Sequence, residues 1–129
     1  MAVLIVDDDP ELRDSLRRAL EAEGYATVCA ADGREALKVL RARDTEISIV
    51  LLDLMMPVMN GWQVLEIIGR DRTLQKVPVI VMSAHLSDRL IGNPETILAK
   101  PFKISRLLSL VEYHLAEAAR PTDDDDPLN

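Results

Sequence analysis

The chain has 129 residues, 48% of them hydrophobic, and a formal net charge of −7, which suits one domain with a sizeable core. Four negative charges are Asp123, Asp124, Asp125 and Asp126, so the body carries −3 (−7 + 4), and no Lys and Arg cluster supplies the basic face that a phosphate-backbone binder needs. A single cysteine, Cys29, excludes an internal disulfide and reads as a small buried thiol. Met1 adjoins the first apolar run, leaving no room for a signal peptide, and no run is long enough to span a bilayer; the expected compartment is the cytoplasm.

Val3 to Val6 reads as a first strand, running straight into Asp7, Asp8 and Asp9. Pro10 to Glu23 has Leu12, Leu16, Ala19 and Leu20 at helical spacing, with Asp9 as N-cap, Pro10 at the first helical position and Gly24 as terminator. Ala26 to Ala30 is a second strand. Asp32 and Glu35 make a capping-box-like start for a helix to about Ala42, with Ala36, Leu37 and Leu40 inward. Ile47 to Leu52 is a strand buried on both faces. Asn60 opens a third helix reaching about Arg70, with Trp62 as a packing residue. Val77 to Met82 and Ile97 to Ala99 are further strands, and Ile104 to Ala119 a last helix with Leu107, Leu108, Val111 and Leu115 inward. This alternation indicates a parallel sheet covered on both faces. Arg120 onward, with two prolines and the Asp run, reads as a disordered tail.

The polar residues fall in one place. Asp7, Asp8 and Asp9 follow the first strand, Asp53 the third, Ser83 the fourth and Lys100 the fifth. Ligands of an open parallel sheet bind outside the carboxyl ends of its strands, so these side chains converge on one edge. Asp7, Asp8 and Asp53 concentrate negative charge that a hard divalent cation such as Mg2+ relieves. A cation so held neutralises a transferring phosphoryl group, a lysine adds a positive point, and a carboxylate can itself become an aspartyl phosphate. Nothing resembles a zinc cluster, and the five dispersed glycines form no phosphate loop.

Four motifs in this order carry a family resemblance: Val3-Leu4-Ile5-Val6-Asp7-Asp8-Asp9-Pro10; Leu51-Leu52-Asp53-Leu54-Met55-Met56-Pro57 with Asn60-Gly61; Met82-Ser83-Ala84; and Lys100-Pro101-Phe102. Over residues 1 to about 119 the chain resembles the receiver domain of two-component response regulators. The resemblance implies a flavodoxin-like, doubly wound five-stranded parallel sheet of order 2-1-3-4-5 with five helices. It implies Asp53 as phosphoryl acceptor, Asp8 as direct Mg2+ ligand, Asp7 acting through water, and the Met55 carbonyl as third protein ligand. It also implies Ser83 as switch hydroxyl, Lys100 as partner of the acceptor carboxylate, and a cis Lys100-Pro101 peptide. His85 would influence how long the phosphoryl group persists. The donor would be a phosphohistidine on a sensor histidine kinase or histidine phosphotransfer protein, docking near Leu12, Ser15, Leu16 and Phe102. The domain would catalyse only its own phosphorylation and dephosphorylation. We expect a monomer with no nucleic-acid or membrane partner, and, with no output domain after the last helix, a stand-alone receiver.

Two departures bear on the output face. Only about Leu86 to Ile91 is available for the fourth helix before Gly92, Asn93 and Pro94 break it, so phosphorylation is expected to act by ordering that segment. Ile97 stands where the family has an aromatic ring. Two other readings are available: a similar module that binds partners without phosphorylation, and a haloacid-dehalogenase-type phosphatase with Asp7 as nucleophile and Asp9 as second acid.

Overall fold

The computed structural model describes residues 1–42, 45–84 and 97–119. Five strands, β1 (Ala2–Val6), β2 (Ala26–Ala30), β3 (Ile47–Asp53), β4 (Val79–Ser83) and β5 (Ile97–Ala99), form one parallel sheet in the order β2-β1-β3-β4-β5. The expected flavodoxin-like order is the observed one. Four α-helices are described: α1 (Pro10–Ala22), α2 (Gly33–Arg41), α3 (Gly61–Arg70) and α4 (Ile104–Ala119). The expected short helix over 86–91, His85 and the acidic tail lie outside the described residues.

Three of the four described helices start where the sequence supplies a cap. Asp9 accepts from the N–H groups of Glu11 and Leu12, and Asp32 from Glu35; Asn60 and Gln63 satisfy each other's backbone in a full capping box. The helices cover both faces of the sheet. Leu4, Val6, Val50 and Leu52 pack with Ala36, Leu37, Val64 and Ile68 of α2 and α3. Ile5, Ile49, Leu51 and Met82 pack with Leu16, Leu20, Leu107 and Val111 of α1 and α4. Successive residues of β1 and β3 thus serve opposite layers, which is why both strands read as unbroken apolar runs.

Cys29 is exposed rather than buried. It lies on β2, the outermost strand in the order β2-β1-β3-β4-β5. Trp62 is half-buried at the start of α3.

Candidate functional site

The sheet delivers its polar residues to one edge. Asp7 follows β1 and is fully buried, whereas Asp8 beside it is exposed. Asp53 and Ser83, expected just after their strands, are instead the last residues of β3 and β4, and both are buried. Lys100 follows β5 and leads into a cis peptide with Pro101. Its backbone N–H donates to the Ser83 carbonyl at 2.8 Å, joining the ends of β4 and β5. Carboxylate oxygens of Asp7, Asp8 and Asp53 all lie within 4.8 Å of one another.

Lys100 reaches across 93 positions of sequence into this cluster. Its Nζ donates to Asp7 Oδ2 at 2.7 Å and lies 3.5 Å from Asp53 Oδ1. The resemblance pointed to Asp53 as its partner; the shorter contact is to Asp7. The Asp9 N–H donates to Asp7 Oδ1 at 2.9 Å, so both Asp7 oxygens are engaged. Arg13, absent from the sequence-derived site, donates from Nη1 to the Asp7 carbonyl at 2.6 Å. Its position four residues after the Asp9 cap was the available signal.

Burial pushes the Asp53 carboxyl above its ordinary range, and the neighbouring Asp7 charge adds to this; Lys100 and the Met55 N–H oppose it. For Lys100, burial alone would lower the ammonium. The Asp7 hydrogen bond and the Asp7 and Asp53 charges outweigh it, and the net shift is upward. A raised carboxyl contributes stability that is present below its unfolded value and lost as pH rises through its folded value. At neutral pH an ionised Asp53 is therefore a cost to the fold, which nearby positive charge offsets. An all-oxygen donor set with one exposed member, Asp8, fits a hard divalent cation that keeps part of its water.

The chain after Asp53 turns sharply. Gly61 N–H donates to the Leu54 carbonyl at 2.9 Å, and Met59 N–H donates to the Pro57 carbonyl at 2.7 Å. The latter closes a three-residue γ-turn around Val58, whose φ is +67°. A β-branched residue is strained there. Val58→Gly is expected to raise stability by about 1 kcal/mol, read as a higher urea midpoint at unchanged slope. Val58→Ala keeps the Cβ and should gain less, so equal midpoints for the two variants would place the strain elsewhere.

Beside the carboxylates a groove of about 330 Å³ is lined by Asp9, Leu12, Ala84, Lys100, Pro101, Phe102 and Ile104. Of the expected docking residues, Leu12 and Phe102 line it and Ser15 is exposed, but Leu16 is fully buried in the core and has no surface to offer. The Asp9 carboxylate, the second acid of the phosphatase reading, caps α1 through Oδ1.

Comparison with known proteins agrees with this geometry. The family model described as the response regulator receiver domain matches residues 3–112. The transcriptional regulatory protein CpxR of Escherichia coli is 35% identical over 135 residues, covering 97% of this chain and 56% of that protein. The response regulator MprA of Mycolicibacterium vanbaalenii is 38% identical over 128 residues, covering 95% and 52%. The chain thus spans about half the length of these curated relatives. Among solved structures, the signal receiver domain of a signal transduction histidine kinase from Syntrophus aciditrophicus superposes with a TM-score of 0.84 at 28% identity, covering 94% of each chain. The Francisella response regulator 1452 receiver domain gives 0.79 at 29%, covering 90% of this chain and 97% of that one.

Proposed function

Because this chain belongs to the response regulator receiver domain family, we propose that it is a phosphorelay switch whose Asp53 accepts a phosphoryl group from a phosphohistidine. The donor would be a sensor histidine kinase or a histidine phosphotransfer protein. The observation that carries the reading is the meeting of the Asp7, Asp8 and Asp53 carboxylates beside Lys100 at one end of the sheet.

Asp53 Oδ1 accepts from the Met55 N–H and faces Lys100, which leaves Oδ2 as the oxygen that attacks phosphorus. The new P–O bond forms as the P–N bond to the donor imidazole breaks, and the electron pair leaves with the ring nitrogen. Lys100, kept charged by Asp7, is a fixed positive point for the phosphoryl oxygens. Ser83 lies one position beyond Met82, the register partner of Asp53, and we assign its hydroxyl to the bound phosphoryl group. Water attack on phosphorus returns the free carboxylate, so the chain acts only on its own modification.

Mg2+ would be held by the Asp8 and Asp53 carboxylates and the Met55 carbonyl, with Asp7 acting through water, and bound there supplies positive charge to the transferring group. The engagement of both Asp7 oxygens and the exposure of Asp8 support this division. The histidine-bearing partner would seat on the groove formed by Leu12 and Phe102.

The test is intact mass after incubation with a small acyl phosphate and Mg2+. One phosphoryl group per chain is expected, and none when the cation is chelated. No uptake from any donor would favour an interaction module independent of phosphorylation. Turnover of a phosphate ester dependent on Asp7 would favour the phosphatase.

A further inference from the structure

A second feature lies on the opposite face of the sheet, away from Lys100. Arg34, Lys38 and Arg41 stand one turn apart along the exposed side of α2. With Leu37, Met59 and Ile67 they line a groove of about 540 Å³ between α2 and α3. The sequence alone showed no basic cluster, because the three cations are spaced through a run that also holds Glu35 and Leu37. None of the three forms an ion pair with a described residue. Among the described residues, Glu35, Glu66 and Asp71 are already engaged. Glu35 accepts from the Ala31 N–H, Glu66 pairs with Arg70, and Asp71 accepts from the N–H groups of Thr73 and Leu74.

We propose that the acidic stretch Asp123–Asp126 folds back onto this groove, its carboxylates against Arg34, Lys38 and Arg41.

The topology brings the two together. In a parallel sheet every helix returns toward the edge where the strands begin, so the ends of α2 and α4 lie at one edge. The end of α2 leads into β3, and α4 packs on β3 from the other face. α2 itself packs on β1 and β2, β1 being the strand next to β3. Asp123 and Asp126 are four and seven residues beyond Ala119, an extended reach of about 14 and 25 Å. The stretch carries four negative charges and the groove is lined by three positive ones. Single exposed ion pairs are weak, but attachment to the same chain gives an effective concentration on the order of millimolar.

Amide spectra of the full chain are to be compared with those of the Asp123→Asn, Asp124→Asn, Asp125→Asn, Asp126→Asn variant. We expect shift differences concentrated over residues 33–42, Met59 and Ile67, and their loss near 1 M salt, where the Debye length falls to about 3 Å. The reciprocal Arg34→Gln, Lys38→Gln, Arg41→Gln variant should shift the amides of the Asp run. Differences absent from α2, or located instead around Lys103 and Arg106, would overturn the proposal. Differences that grow with protein concentration would also overturn it, by assigning the groove to the tail of a second copy. This inference is independent of the phosphoryl chemistry, and its failure would leave that reading untouched.

Discussion

Asp53→Asn is expected to abolish phosphoryl uptake and, with divalent cations chelated, to make the folded chain more stable. The first effect is chemical, since a neutral amide is no match for a carboxylate as a nucleophile toward phosphorus. The second is electrostatic. Ionised Asp53 is buried and repelled by Asp7, and the amide removes both penalties at the same volume. A gain of about 1 kcal/mol at pH 7 is in the ordinary range for such relief. Its pH dependence follows from the upward shift of the carboxyl. Below the raised value the unmodified chain also carries a neutral group at position 53, so the advantage of the variant shrinks as pH falls. Saturating Mg2+ should reverse the order, because a ligand at 100 times its Kd stabilises the chain that binds it by about 2.7 kcal/mol. Urea unfolding of both chains at pH 7 and near pH 4, with chelator or with Mg2+, measures all of this. Undiminished phosphoryl uptake by the variant would mean a different acceptor. Equal stability in chelator would mean that Asp53 carries no electrostatic cost.

Gly61→Ala is expected to cost about 3 kcal/mol, near the upper range for forcing extra volume into a packed site. A Cβ at this position overlaps the Asp53 carbonyl oxygen and lies 2.7 Å from Leu54 Cα. Both are backbone atoms and cannot swing aside. The displaced chain is the one carrying the acceptor, so phosphoryl uptake should slow as well. Gly69, on the same helix, is the control: nothing lies within 4 Å of its would-be Cβ. Gly69→Ala should stabilise by up to about 1 kcal/mol through helix propensity alone. If the two alanines had the same sign of effect on the urea midpoint, the close approach at Gly61 would not be the cause.

Most of the sheet was legible because its signals are local. The apolar runs of β1 and β3 end in acids, and Asp9, Asp32 and Asn60 announce the helices they cap. The end of β5 is marked by Lys100-Pro101-Phe102, and α4 by the helical spacing of Leu107, Leu108, Val111 and Leu115. What could not be read depends on packing between segments. The preference of Lys100 for Asp7 over Asp53 is set by how β5 stands against β4 and how β1 stands against β3. Cys29 sits in an apolar run, but only the strand order reveals that β2 is an edge. Leu16 and Ser15 both lay on the first helix; which of them meets solvent depends on where α1 touches the sheet. Val58 was unreadable for a different reason, since a β-branched residue is the last one that sequence rules would place at positive φ.

Lys100 comes directly after β5, 47 positions after Asp53 (100 − 53). During synthesis β1 and β3 can therefore emerge and pair long before their counter-ion exists. For that interval the growing polypeptide holds the Asp7, Asp8 and Asp53 carboxylates without the lysine that bonds Asp7 and faces Asp53. Closing the loop that brings β5 in is what neutralises the edge, so maturation of the binding-competent form waits on the segment that carries Lys100.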